Sequence, residues 1–160
     1  MEMLDGFLGQ LPADWQYGVE IRNKALLHPD YFAMLRRHGV AHVMNNWTHM
    51  PSVAEQWAMP GVLTAESFTA ARFLLKPGRS YEQAVRMFSP YNATKEPYEE
   101  ARRVAAEIAD SRAKAAEARK TLPSFLFVNN RLEGNSLLTM LAVLMHLGLL
   151  DLPPVPAKQE

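Results

Sequence analysis

SFLFVNN, residues 124–130, follows Pro123, carries apolar side chains at consecutive positions and ends in two amides. Successive side chains of a strand point to opposite faces, so this run is apolar on both. Such a strand belongs in a parallel sheet covered by helices rather than in an antiparallel sheet with one wet side. Three more strands are expected upstream. YGVEIRN (17–23) has β-branched Val19 and Ile21; VAHVMNN (40–46) follows Gly39 and ends in amides; ARFLLK (71–76) is stopped by Pro77 and Gly78.

Helical patterns fill the gaps. Pro29 at a first helical position opens PDYFAMLRRHG, with Gly39 as its stop. SYEQAVRMF (80–88) starts at a capping Ser80, with Glu82 one position too early for a capping box. EPYEEARRVAAEIADSRAKAAEAR (96–119) is the clearest helix. Ala101, Val104, Ile108, Ala115 and Ala118 form its narrow apolar stripe, and Glu99 with Arg103 and Asp110 with Lys114 are acid-before-base pairs four apart. A last helix starts at Asn135 or Ser136 and runs to Leu147. Its run SLLTMLAVLMHLGLL (136–150) is shorter than the ~20 residues a membrane span needs and holds His146 and Gly148, so a helix buried in the domain is expected. Between Trp47 and Ser67 the pattern is weak: a helical turn is expected in PSVAEQWAM, and MPG marks a turn. The order β-α-β-(α)-β-α-α-β-α predicts an α/β fold with parallel strands and right-handed crossovers. Either an open doubly wound sheet or part of a (β/α)8 barrel satisfies it.

The 160 residues suffice for one domain, read as 1–150, with the proline-rich 151–160 as a loose tail. Hydrophobic residues at 48% and charged residues at 21% are a globular balance. A formal net charge of zero argues against a nucleic acid or an anionic membrane as partner, but leaves room for a local anion site. The absence of cysteine excludes disulfides, thiolate nucleophiles and cysteine ligands, and fits a cytoplasmic protein. His28, His38, His42, His49 and His146 lack metal-ligand spacing, and no P-loop, Rossmann glycine fingerprint or GxSxG is present, so neither metal nor cofactor is expected. MEMLDGFLGQLP carries acid where a signal peptide needs a basic flank and has no long apolar core, so no export is expected.

The residues able to do chemistry lie at strand ends. Glu20 and Arg22, two apart, share a strand face opposite Val19 and Ile21, as a register-fixing ion pair or as the wall of a site. Asn45, Asn46 and Trp47 end the second strand, where amides make turns and caps, or where an amide and an indole together orient a polar ligand. Arg72 has no acid nearby in sequence and is either paired in space or aimed at an anion. After the fourth strand come Asn129, Asn130, Arg131 and Glu133. Gly134 then allows a close backbone approach, and Asn135 or Ser136 caps the next helix. That run is a plain turn and cap, or an anion site of free N–H groups reinforced by Arg131. Glu20 and Glu133 are the acid/base candidates; Arg22, Arg72 and Arg131 are the anion binders.

Four blocks, YGVEIRN, DYFAMLRRHGVAHVMNNW, ARFLLKPGRSYEQAVRMFSPY and FLFVNNRLEGNSLLTM, resemble in order and spacing the C-terminal part of the YecE-like proteins, a family named only as a domain of unknown function. They cover most of the chain, and VEIRN and FVNNRLEGN are the most distinctive. The resemblance implies a TIM-like barrel and no established reaction. The chain would supply about its C-terminal half, parallel strands with outer helices, starting inside a helix whose remnant is MLDGFLGQLP. A TIM barrel typically takes about 250 residues and eight strands, and the glycine-rich first strand of full-length members is absent. In such barrels the active site lies at the C-terminal ends of the strands, often with a phosphate site near the last loops. The implied site therefore gathers Arg22, Asn45, Asn46, Trp47 and the loop NNRLEGN around a small polar or anionic ligand. If the protein is an enzyme, metal-free acid/base chemistry is expected. The alternative is a non-catalytic truncated fragment or interaction module, its open edges paired with a second copy or a separate N-terminal half.

Overall fold

The computed structural model describes residues 1–116 and 122–151, the side chains of 112–116 excepted. In chain order the elements are α1 (Glu2–Leu8), β1 (Gly18–Val19), a 3-10 turn (Lys24–Leu26), α2 (Pro29–Arg37), β2 (Ala41–Asn45), α3 (Val53–Trp57), β3 (Thr69–Phe73), α4 (Tyr81–Phe88), α5 (Glu99–Ala116), β4 (Ser124–Val128) and α6 (Ser136–His146). The four strands pair in sequence order, β1-β2-β3-β4, all parallel. The α/β class and the parallel sheet expected from the apolar strands are therefore present, and β1 and β4 are free edges among the described residues. Of the expected tail, 151–160, all but Asp151 lies outside the described residues, as does Ala118; the side chains of Lys114 and Ala115 are likewise outside them.

Helices cover one face of the sheet. Met44, Ala71 and Phe73 from the strands share a core with Tyr31, Phe32 and Leu35 of α2 and with Ala101, Val104 and Ile108 of α5; Leu126 and Val128 pack against it. Among the described residues the opposite face carries only a small cluster in which Ala41, Val43 and Ala70 meet Ala65 and Phe68. A doubly wound sheet has helices on both faces; among the described residues this one has them on one. Among the described residues no helix is long and apolar enough to cross a membrane.

Several local expectations are corrected. β4 is apolar on both faces: Leu126 and Val128 pack against the core, while Phe125 and Phe127 are 45% and 55% exposed, with Phe68 lying edge to face against Phe125. α6 is not buried all round either. Thr139 and Val143 face inward, while Leu137, 69% exposed, and Met140 and Met145 face outward. β1 pairs over two residues, not seven. Beyond Val19 the ladder gives way to a side chain, with Asn45 Nδ2 donating to the Ile21 carbonyl at 2.9 Å. β3 begins at Thr69, two residues before the apolar run, and ends at Phe73, since its partner β4 spans Ser124 to Val128 in register.

Helix ends follow the capping rules, with one correction. Ser80 caps α4 as expected, and Gln83, not an acid, closes the capping box. A second box, Ser52 with Glu55, starts α3 in the stretch where the sequence pattern was weakest. On α5, Glu99 pairs with Arg102 at 2.8 Å rather than with Arg103, and Arg103 turns to Glu107.

Candidate functional site at the strand ends

Alternation along the strands puts Gly18, Glu20, Val43, Ala70, Arg72, Phe125 and Phe127 on the open face. The register sets Asn45 beside Arg72, and Arg72 beside Phe127, at the C-terminal ends of three neighbouring strands. Glu20 sits between two arginines. Arg22 Nε donates to its Oε1 at 3.0 Å, and Arg72 Nη1 donates to its Oε2. Glu20 is largely covered, whereas Arg22 and Arg72 remain 46% and 38% exposed. The Arg22 guanidinium lies over the Trp47 ring, 4.2 Å from its centroid. Asn45 is fully buried; its Nδ2 holds Ile21, and its Oδ1 meets no donor among the described residues.

Glu20, Arg22, Asn45, Trp47 and Arg72 are thus brought together, and Glu20 and Arg72, 52 residues apart, are each other's partner. Two cations against one carboxylate leave an excess positive charge. Each guanidinium has five N–H donors, and Glu20 occupies few of them.

The remaining residues are placed differently. Asn46 is buried, and its Oδ1 accepts from the Val53 N–H at 2.6 Å, tying the strand end to α3. Asn129 Oδ1 accepts from both the Arg131 backbone N–H at 2.9 Å and Arg131 Nη1 at 3.1 Å. Arg131 stacks on Tyr81, 4.3 Å from the ring centroid, and its Nε is buried with no acceptor among the described residues. Asn130 Oδ1 accepts from the Ser136 N–H at 2.8 Å. Asn135 caps α6 through its Oδ1, and its Nδ2 donates to the Tyr91 carbonyl at 2.9 Å.

Glu133, expected in a loop, is fully buried. Arg102 Nε lies 2.9 Å from Oε1, while Arg102 Nη2 and the Thr139 hydroxyl donate to Oε2 at 3.1 and 2.7 Å; the Tyr98 N–H also donates to the carboxylate. None of these partners belongs to the group around Glu20, and the pattern is that of a structural ion pair. Gly134 makes the expected close approach, but to this chain's own backbone. It has φ +115°, and a Cβ there would sit 2.4 Å from the Ala93 carbonyl oxygen. The Lys95 and Glu96 N–H groups donate to the Glu133 carbonyl, at 2.8 and 3.3 Å, across the same crossing.

Two charged residues beside this loop had no signal in the sequence. Arg79 and Lys76 converge on Glu96, and the Arg79 hydrogen bonds, followed by that of Lys76, hold the Glu96 carboxyl below its usual range. Arg79 also stacks over Phe88, 5.1 Å from the ring centroid. Only the proximity of Arg79 to the capped start of α4 could have pointed to it.

No curated protein sequence matches the chain. Two crystal structures resemble it in fold. One is a DUF72 family protein from Enterococcus faecalis, at 13% identity and TM-score 0.56, with 99% of this chain aligned to 55% of that one. The other is a DUF72 family protein from Thermotoga maritima, at 16% identity and TM-score 0.55, with 89% of this chain aligned to 48% of that one. The chain thus spans about half the length of the solved structures it matches. The family model described as "Protein of unknown function DUF72" matches residues 1–160, the whole of the sequence that carries the clamped Glu20 and the buried Glu133, and the chain belongs to that family.

Proposed function

We propose that this chain is part of the wall of a TIM-like barrel and binds a small polar or anionic ligand at the C-terminal ends of its strands. One observation carries the reading: Arg22, just past the end of β1, and Arg72, on β3, grip Glu20 yet keep much of their side-chain surface open. An anion on the open side meets the unspent N–H donors, in the geometry that suits carboxylate and phosphate oxygens. Trp47 fixes Arg22 from below, so part of the ordering cost is met before the ligand arrives. Glu20 is the acid/base group of this reading. An anion that draws Arg72 away frees Glu20 Oε2 to take or give a proton. The barrel part of the proposal rests on sequential parallel strands, helices on one face, and the likeness to the two longer structures.

Calorimetric titration with inorganic phosphate tests the site. Arg22→Ala and Arg72→Ala are each expected to weaken binding at least tenfold while the circular dichroism and melting temperature of the chain hold. Equal binding by the double variant and the native chain would sink the reading.

A second reading rests on β4. An edge strand is normally blunted by charge, proline or a bulge, and SFLFV has no charge and no proline while Phe125 and Phe127 stand exposed. In this reading the chain is an interaction module whose sheet is completed by a second copy or a separate N-terminal half. Light scattering after size exclusion tests its second-copy form, because a monodisperse monomer with a cooperative melt shows that the sheet is not completed by self-pairing.

A further inference from the structure

We infer that the loop between β3 and α4 holds a second anion site, in which Lys76 and Arg79 take a phosphoryl group beside Glu96. The site is independent of the reading given for Arg22 and Arg72. β3 has a strand on each side, so this loop does not stand at an open edge of the sheet. The inference rests on how Arg79 meets Glu96. Nη2 alone donates to both carboxylate oxygens, at 2.7 and 2.8 Å. A structural arginine–carboxylate pair commonly engages two guanidinium nitrogens, as Arg102 does with Glu133 through Nε and Nη2. Here Nη1 is left buried with no acceptor among the described residues, on a side chain only 11% exposed. A buried charged donor without a partner is costly, and an oxyanion beside it removes that cost.

Charge and space favour an anion as that partner. Lys76 Nζ lies 3.1 Å from the same carboxylate and is 43% exposed. Two cations against one carboxylate leave one positive charge over, and on α4 Glu82 is offset by Arg86 one turn further on. A groove of about 340 Å³ runs between the loop and α4, lined by Lys76, Gly78, Arg79, Gln83 and Met87. Gly78 has φ +81°, and a Cβ there would meet nothing within 4 Å, so the loop has open space on that side. The start of α4 is closed by Ser80 and Gln83 on each other, so the donors are the two side chains and not the helix end. A planar fork with unspent N–H groups and an ammonium point charge together suit a phosphoryl group, whose three oxygens serve both at once.

Calorimetric titration of the intact chain with inorganic phosphate at low salt tests this. Two binding events are expected, and one of them should survive in the Arg22→Ala, Arg72→Ala double variant. In that background Glu96→Gln should tighten the surviving event at least threefold, because it releases Arg79 Nη2 and Lys76 Nζ to the ligand. An ion pair with a structural role alone predicts no such gain. Lys76→Gln, at a half-exposed position, should weaken the event at least threefold, and Arg79→Gln should abolish it. A parallel titration with glycerol phosphate separates the two sources of a phosphoryl group: the tighter binder names the site's ligand as a phosphomonoester or as the free ion. Loss of all binding in the double variant overturns this inference and leaves the Arg22 and Arg72 reading standing. A single event that ignores Arg22 and Arg72 but weakens with Lys76→Gln sinks that reading and supports this one. Binding indifferent to both Lys76→Gln and Glu96→Gln overturns the inference.

Discussion

His42 sits on the helix-covered side of β2, with Tyr31 OH 3.2 Å from Nδ1 and Gln56 Oε1 3.3 Å from Nε2. Gln56 Nε2 donates to the Asn45 and Pro51 carbonyls, so its amide oxygen is the atom facing the ring. The network therefore assigns the proton to Nε2 and makes Nδ1 the acceptor of the Tyr31 hydroxyl. Burial lowers the His42 pKa to about 4, partly opposed by the Gln56 bond. Above the ordinary value of about 6.5 the ring is neutral in both states, so this stability is fully present. As pH falls from 6.5 toward 4 the unfolded chain takes up a proton that the fold refuses, and roughly 3 kcal/mol is lost. Urea midpoints measured between pH 7 and 4.5 are expected to fall for the native chain and to flatten in His42→Gln. Parallel slopes in the two would show that the ring is not the source. None of this was legible in the sequence, because Tyr31 and Gln56 lie 11 and 14 residues away and a lone histidine in a strand carries no sign of its partners. The burial of Glu133 and its partners escaped for the same reason: its loop reads as polar, and Arg102 and Thr139 reach it only in the folded chain.

Elements were more legible than residues, since their signals are local. Pro29, Gly39 and Ser80 punctuate the chain by backbone rules that hold regardless of tertiary context, and the helices start and stop where those residues say. What failed was anything that depends on a neighbour. β3 began early because pairing with β4, not hydropathy, sets its length. α6 was expected to be buried because an apolar run has no way to announce that a face is uncovered. The α4 box shows the finer limit. Glu82 does interact with the cap, its Oε2 accepting from the Ser80 hydroxyl at 2.9 Å, while Gln83 Oε1 takes the Ser80 backbone N–H at 2.8 Å. Ser80→Ala is expected to cost about 1 kcal/mol by equilibrium unfolding. Gln83→Ala should be less than additive with it, because each removes one of the two bonds that close the same cap, and the first loss frays the turn that holds the second. Full additivity in the double-mutant cycle would mean that the box does not act as a unit.

At the scale of the molecule, the parallel sheet followed from the apolar strands alone, whereas the sequential strand order, which the sequence left open, had to come from the structure; the nearness of Arg22 to Trp47 was expected from fold placement. Arg72 as the partner of Glu20 required the three-dimensional pairing. The uncovered sheet face leads to a test of the whole fold. Phe125→Thr with Phe127→Thr is expected to leave the unfolding free energy within about 1.5 kcal/mol of native, since the rings are half exposed already. Any self-association seen by sedimentation should fall. A loss above about 3 kcal/mol would mean the rings are core. The crossing at Gly134 also sets an order of events during synthesis. The strands lie side by side in the order in which they leave the ribosome, so β1 to β3 can pair as they appear. Residues 91–98, by contrast, take their backbone partners from Glu133 and Asn135, about forty residues downstream. On a growing chain that stretch emerges well before its partners, and long-range closure of this kind comes late. The link between α4 and α5 can therefore take its final shape only after β4 and the loop that follows it have left the exit tunnel.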